Sequence, residues 1–203
     1  MTPQDGSSWF EEQFGSVRLM AIARGKGVAR TLELAEAAWN LGVVAVEVTL
    51  QSDDDIQALR ETVRAAHRHG GIVGAGTVTS AADVEAARAA GAAFTVSPGL
   101  DPDVVAASAA AGLPALPGVA TASEVQQARA LGLTWLKAFP ARHLTPAWFT
   151  DIAGPFPEVR FVASGGITAA SAAAFLDAGV HTVALGSALA DPSQLPQLAA
   201  LLG

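Results

Sequence analysis

A lysine lies in the middle of an apolar stretch, Thr134-Trp135-Leu136-Lys137-Ala138-Phe139-Pro140. The chain has ten Arg and only two Lys, so lysine is not its ordinary surface cation. Alternate side chains of a strand share a face. Trp135, Lys137 and Phe139 therefore point one way, and Leu136 and Ala138 the other. An ammonium enclosed between two aromatic neighbours is costly unless it is paired or gives up its proton. An uncharged lysine amine is a nucleophile suited to Schiff-base chemistry. The plainer reading is a lysine whose stem packs on the strand end while its head reaches water.

One carboxylate matches this lysine. In the stretch Val44-Ala45-Val46-Glu47-Val48-Thr49-Leu50-Gln51, Glu47 is the only charge. It shares a face with Ala45, Thr49 and Gln51, whereas Val44, Val46, Val48 and Leu50 take the other, helix-facing side. A buried acid and a buried amine within reach of each other are each tuned for proton transfer. The competing reading is a structural ion pair.

The elements that must hold these two groups repeat along the chain. After a short leading helix over 8–14, strand-like segments fall at 17–24, 44–51, 71–77, 93–98, 114–120, 134–139, 160–164 and 182–186. Ala-rich stretches with helical spacing separate them, at 28–41, 53–69, 80–90, 101–111, 123–130, 146–152, 168–178 and 192–201. Most of these open on Ser, Thr or Asp, the usual N-caps, and several are followed by Gly, the usual C-cap. Eight strand–helix units in 203 residues predict an α/β fold: a single-domain (β/α)8 TIM barrel with a short N-terminal helix, over 1–203. An open doubly wound sheet is the alternative. Its glycine-rich first turn has only a loose echo in Arg24-Gly25-Lys26-Gly27, with no acidic residue ending the second strand.

Composition narrows the function. With 51% apolar and 15% charged residues the chain can build a core and is not disordered. Net charge is −7 and no basic run occurs, which argues against nucleic acid and anionic membranes. No apolar run reaches the ~18 residues of a membrane span. Residues 1–13 lack a basic segment followed by an apolar one, so the expected location is the cytoplasm. Zero cysteines exclude disulfides and thiolate sites. No pair of the four His has metal-ligand spacing, so no metal is expected.

In a barrel, chemistry sits at the C-terminal ends of the strands. The third strand ends Gly74-Ala75-Gly76-Thr77, placing a hydroxyl near the mouth. The fourth ends Ser97-Pro98-Gly99 and the fifth passes Pro117-Gly118, both turns that narrow a pocket. The seventh ends Ser164-Gly165-Gly166 and the eighth Gly186-Ser187. Glycine turns after the last two strands commonly hold phosphate through exposed N–H groups. Arg24, ending the first strand, reads as the one guanidinium at that end, able to grip a carboxylate. Of the histidines only His143 falls on the active side.

In this order and spacing, the pieces Val46-Glu47-Val48-Thr49-Leu50, Gly74-Ala75-Gly76-Thr77-Val78, Val96-Ser97-Pro98-Gly99, Pro117-Gly118, Leu136-Lys137-Ala138-Phe139-Pro140-Ala141 and Ser164-Gly165-Gly166-Ile167 resemble one family. It is the 2-keto-3-deoxy-6-phosphogluconate (KDPG) aldolase family, which includes 4-hydroxy-2-oxoglutarate (KHG) aldolases and a 6-phosphogalactonate branch. The resemblance implies a class I aldolase without metal or cofactor, a homotrimer of barrels, acting on a small keto acid. Its implied reaction cleaves KDPG to pyruvate and glyceraldehyde 3-phosphate, and KHG to pyruvate and glyoxylate. It implies Lys137 as the Schiff-base lysine, Glu47 as general acid/base, Thr77 near the pyruvyl carboxylate, and Phe139 and Pro98 as walls. Gly165, Gly166, Gly186 and Ser187 would hold phosphate. Two positions depart: Gln51 stands where many members have a carboxylate-binding Arg, and Ser164 where Thr is common. Gln51, with Ala21-Ile22-Ala23-Arg24-Gly25, looks more like the galactonate branch and shifts the carboxylate clamp to Arg24. The other phosphate-binding barrels, isomerases and transferases, would keep the glycine turns but need no Lys137 beside Glu47.

Overall fold

A computed structural model of the chain describes residues 1–25, 27–189, 191 and 193–202, leaving Lys26, Ala190, Pro192 and Gly203 outside it. Its strands are β1 Leu19–Ala23, β2 Ala45–Thr49, β3 Ile72–Gly76, β4 Thr95–Val96, β5 Ala115–Leu116, β6 Gly118–Val119, β7 Trp135–Ala138, β8 Arg160–Ser164 and β9 Thr182–Leu185. The helices are α1 Pro3–Phe14, α2 Gly27–Leu41, α3 Asp53–Ala66, α4 Ala81–Ala90, α5 Pro102–Ala110, α6 Ala122–Ala130, α7 Ala141–Ala153, α8 Ala169–Asp177 and α9 Leu195–Ala199.

All pairings are parallel, in the order β5-β4-β3-β2-β1-β9-β8-β7-β6. β5 and β6 are two halves of the expected fifth strand, parted at Pro117. The two ends of the sheet therefore meet across one residue, and the sheet closes into the expected barrel. Proline cannot donate to a ladder, which interrupts this strand. The Pro117 carbonyl still accepts from Lys137 N–H at 2.8 Å.

Side-chain alternation sorts the core into two layers. Leu136 and Ala138 of β7 and Val46 and Val48 of β2 pack outward, in the larger cluster under the helices. Trp135 and Ala45 point inward, with Met20, Ile22, Phe94, Val96, Leu116, Val162 and Ala184. Val44 is a correction: β2 begins at Ala45, so Val44 is not held against a helix and is 36% exposed.

The N-terminal mouth of the barrel is stoppered by α1. This helix begins at Pro3, earlier than the expected residue 8, because Thr2 and Asp5 form a reciprocal capping box with Pro3 as first residue. Its inner face drives Phe10 and Phe14, both fully buried, into the lumen. Phe10 stacks on Trp135 with centroids 5.8 Å apart, and Phe14 meets Phe94 edge-on at 5.3 Å. The Trp135 indole N–H donates to Glu11, and His181 bonds the Phe14 carbonyl, so the stopper is pinned by polar contacts at its rim. Directly above this aromatic floor, one inward position along β7, comes Lys137.

Two other helices differ from expectation. α7 starts directly after Pro140 rather than at residue 146 and kinks at Thr145, where Pro146 cannot continue the first helical turn. The last helix is the short α9, and Pro192, its expected start, is outside the described residues. Phe10→Ala should lower unfolding free energy by about 3–5 kcal/mol, the usual result of truncating a fully buried aromatic. Urea titration followed by far-UV circular dichroism measures it.

Candidate active site

Lys137 and Glu47 meet inside the barrel. Lys137 Nζ lies 3.5 Å from Glu47 Oε1, with the two side chains 4% and 0% exposed. They arrive from nearly opposite sides: Lys137 from β7, hydrogen-bonded between β6 and β8, and Glu47 from β2, between β1 and β3. At this length the contact is looser than a tight charge-assisted bond of about 2.7–2.9 Å, so the amine is paired without being locked. Phe139, one inward position further on, sets its ring 5.3 Å from the Lys137 nitrogen. The second oxygen, Glu47 Oε2, has no hydrogen-bond partner among the described residues. It is an acceptor held in a dry enclosure, where an unmet polar atom is expensive.

The close approach of Glu47 depends on Gly76. A side-chain carbon at that position would overlap the Glu47 carboxylate, because β3 passes directly beside it. Thr77 follows with φ of 59°, a left-handed conformation that a β-branched residue seldom adopts. Strain of this kind persists where the surroundings over-determine it, commonly at a working site. Thr49 lies opposite Gly76, one inward position beyond Glu47, fully buried, and its hydroxyl also lacks a partner among the described residues.

Above the pair, a cavity of about 490 Å³ opens over the ends of β1, β7, β8 and β9. Its walls bring together seven residues singled out from the sequence: Arg24, Phe139, Ser164, Gly165, Gly166, Gly186 and Ser187. Gly165 and Gly166 have φ of 101° and 78°, values that favour glycine. A side-chain carbon on Gly165 would also stand 3.0 Å from the Phe139 ring, so this turn and the end of β7 are fitted to each other.

Five residues singled out from the sequence are not in these walls: Lys137 and Glu47, both buried within the barrel, and Thr77, Pro98 and Gln51. Thr77 is half-buried at the end of β3, and Pro98 is exposed beyond β4. Gln51 lies past the end of β2, exposed, its backbone N–H held by the Asp55 carboxylate at 3.1 Å. The strand stops at Thr49 because Ser52 caps α3 immediately afterwards. That removes Gln51 from the inward register in which sequence alternation would place it.

Arg142 is the functional candidate that sequence reading missed. It lines the cavity beside the glycine turn, so Arg24 is not the only guanidinium at this end of the barrel. The signal was hidden by the late start assigned to α7, which left residues 141–145 as loop. Among the described residues, neither arginine forms an ion pair. Also among the described residues, no three His, Asp or Glu side chains converge as a metal site would need, and no helix is long and apolar enough to cross a membrane.

Fold and matches together put the molecule among the barrel aldolases, which are lyases. A family model for KDPG and KHG aldolase matches residues 10–200, and the chain belongs to that family. Over 175 residues it is 34% identical to a probable 2-dehydro-3-deoxy-6-phosphogalactonate aldolase of Rhizobium meliloti, covering 86% of this chain and 82% of that one. A crystal structure of a 4-hydroxy-2-oxoglutarate/2-dehydro-3-deoxyphosphogluconate aldolase superposes with TM-score 0.83 at 36% identity, covering 100% of both chains. The KDPG aldolase of Legionella pneumophila, with pyruvate captured as a covalent carbinolamine, superposes with TM-score 0.81 at 27% identity, over 100% of this chain and 97% of that one.

Gly76→Ala should push the Glu47 carboxylate away from the lysine. We expect pyruvate release to slow by about 10²-fold or more, the usual scale of a lost general acid/base. Circular dichroism should stay unchanged while a coupled pyruvate assay reads the loss; an unaltered rate would show that this carboxylate need not sit where it does.

Proposed function

We propose that this chain is a class I, Schiff-base aldolase that cleaves KDPG to pyruvate and glyceraldehyde 3-phosphate. The observation that carries the proposal is the enclosed contact between Lys137 and Glu47, at 3.5 Å. A merely structural pair has no need of a cavity above it, or of a second carboxylate oxygen left without a partner among the described residues.

In this reading the Lys137 amine attacks the C2 ketone and water leaves, giving a protonated Schiff base that acts as an electron sink. Glu47 takes the proton of the C4 hydroxyl, the C3–C4 bond breaks, and the aldehyde departs. The electron pair stays behind as the enamine of pyruvate. Glu47 returns a proton to C3, and water hydrolyses the imine to free pyruvate and the amine. Thr77 and Arg24 serve the substrate carboxylate, Phe139 and Pro98 wall the reacting carbons, and Ser164 lines the channel between them. Gly165, Gly166, Gly186 and Ser187 hold the phosphate with backbone N–H groups and a hydroxyl. KHG, which yields pyruvate and glyoxylate, fits the same chemistry.

A second reading, 6-phosphogalactonate cleavage, is favoured by one observation: Gln51 is a neutral amide outside the cavity, which leaves Arg24 as the cation on the β1 side. The relative in Rhizobium meliloti supports it too. We also propose, from the family resemblance, that the enzyme works as a cytoplasmic homotrimer, which sedimentation equilibrium would test.

Borohydride reduction in the presence of pyruvate should trap an adduct that peptide mapping places on Lys137. Lys137→Ala should lose both adduct and turnover. Glu47→Gln should slow turnover by about 10²–10⁴-fold yet still form the adduct. A wild-type enzyme that traps no pyruvate would refute the Schiff-base reading. Coupled pyruvate release from KDPG, its galacto epimer and KHG ranks the substrates.

A further inference from the structure

Arg142 stands beside the glycine turn at the C-terminal end of the barrel. Its side chain is exposed to the cavity, yet no carboxylate meets it among the described residues. The protein carries 19 acidic residues against 12 basic ones, and most of its surface arginines that pair do so within their own helix. A guanidinium left unpaired beside glycine N–H groups is available to an anion from outside.

The fold holds it there by three contacts. The Arg142 backbone N–H donates to the Gly165 carbonyl at 3.0 Å, tying the first turn of α7 to the glycine turn after β8. The Arg142 stem lies over Gly166, where a side-chain carbon would stand 2.5 Å from Cδ and 2.9 Å from Cβ. Its Nε donates to His143 Nε2 at 3.2 Å. Among the described residues, no other hydrogen bond engages the guanidinium, so both terminal nitrogens remain for a ligand. The missing side chain of Gly166 thus serves two ends: it permits a φ of 78°, and it lets an arginine lie across the turn.

We propose that Arg142 is a specificity-determining residue that clamps the phosphate end of the substrate, so that the chain selects 6-phosphorylated keto-deoxy sugar acids over unphosphorylated ones. The inference rests on the aldolase reading above and goes beyond it, by assigning the choice of phosphate to one side chain. Arg24 enters the same cavity from β1 and Arg142 from the start of α7, so the two cations come from different walls. A substrate with an anion at each end would engage one with each. A planar guanidinium can grip two phosphate oxygens at once, whereas backbone N–H groups alone offer less charge.

The test compares wild type with Arg142→Met, which keeps the stem over Gly166, and Arg142→Lys, which keeps the charge. The first readout is the ratio of kcat/KM for KDPG to kcat/KM for unphosphorylated 2-keto-3-deoxygluconate. Arg142→Met should lower that ratio by at least about tenfold, mainly through KM for the phosphorylated substrate, and Lys should restore part of it. The second readout is inorganic phosphate binding by titration calorimetry, which needs no turnover; its Kd should weaken by about the same factor in Arg142→Met. A ratio and a phosphate Kd within about twofold of wild type would overturn the proposal, as would equal losses on both substrates, the mark of a structural role. Pyruvate trapping on wild-type Lys137 separates the two levels. Absent trapping removes the aldolase reading, and the calorimetry still decides whether Arg142 holds phosphate; trapping with an unchanged ratio removes only the role of Arg142.

Discussion

An amine and a carboxylate enclosed together in an apolar barrel depend on each other, and the rest of this structure depends on that pairing. Removing two charges from water is unfavourable by several kcal/mol each, and their mutual attraction recovers the loss only when geometry and further contacts are good. Here geometry is incomplete: the contact is 3.5 Å, and among the described residues Glu47 Oε2 and the Thr49 hydroxyl find no partner. Such a pair is a weak contributor to stability. Its retention makes physical sense as poised chemistry, where an amine must be able to leave its carboxylate to attack a carbonyl and that carboxylate must then move protons.

Everything beneath the pair works to keep it dry. Trp135, Phe10, Phe14 and Phe94 fill the lumen from below, and α1 seals the N-terminal mouth. With the lumen filled on that side, the cavity opens at the other mouth, over the C-terminal ends of the strands. The stability missing at the active pair is supplied by this aromatic floor and by the layer of Val, Leu and Ala between strands and helices. Barrel enzymes divide their two mouths in this way, one for stability and one for chemistry.

The upper part of the site is a set of interlocked turns. The Phe139 ring rests against Gly165, and Arg142 lies over Gly166 and bonds back to the Gly165 carbonyl. The strand that carries the nucleophile and the turn that would receive phosphate are thus one mechanical unit. Placing the reacting carbon and the distant anion at a constant separation is what lets binding at one end orient chemistry at the other.

Much of this was legible in residue types and their spacing. The period of two decides which side of a strand each residue takes, so Lys137 and Glu47 could be assigned to the lumen, and Leu136 and Val48 to the helix layer, before any coordinates. Eight repeats of strand and helix specified the barrel, and glycine turns marked its working end, because those signals are local. Tertiary structure decided what local signals cannot carry. Closure across Pro117 brings β7 level with β2, so that two residues ninety positions apart in the chain touch. The cap at Ser52 ends β2 early and takes Gln51 off the inner face. The start of α7 at Ala141, stitched to Gly165, is what carries Arg142 into the cavity. Alternation and capping act between neighbours, whereas closing a sheet and fitting one turn against another are settled by packing between distant segments, and only the folded chain contains them.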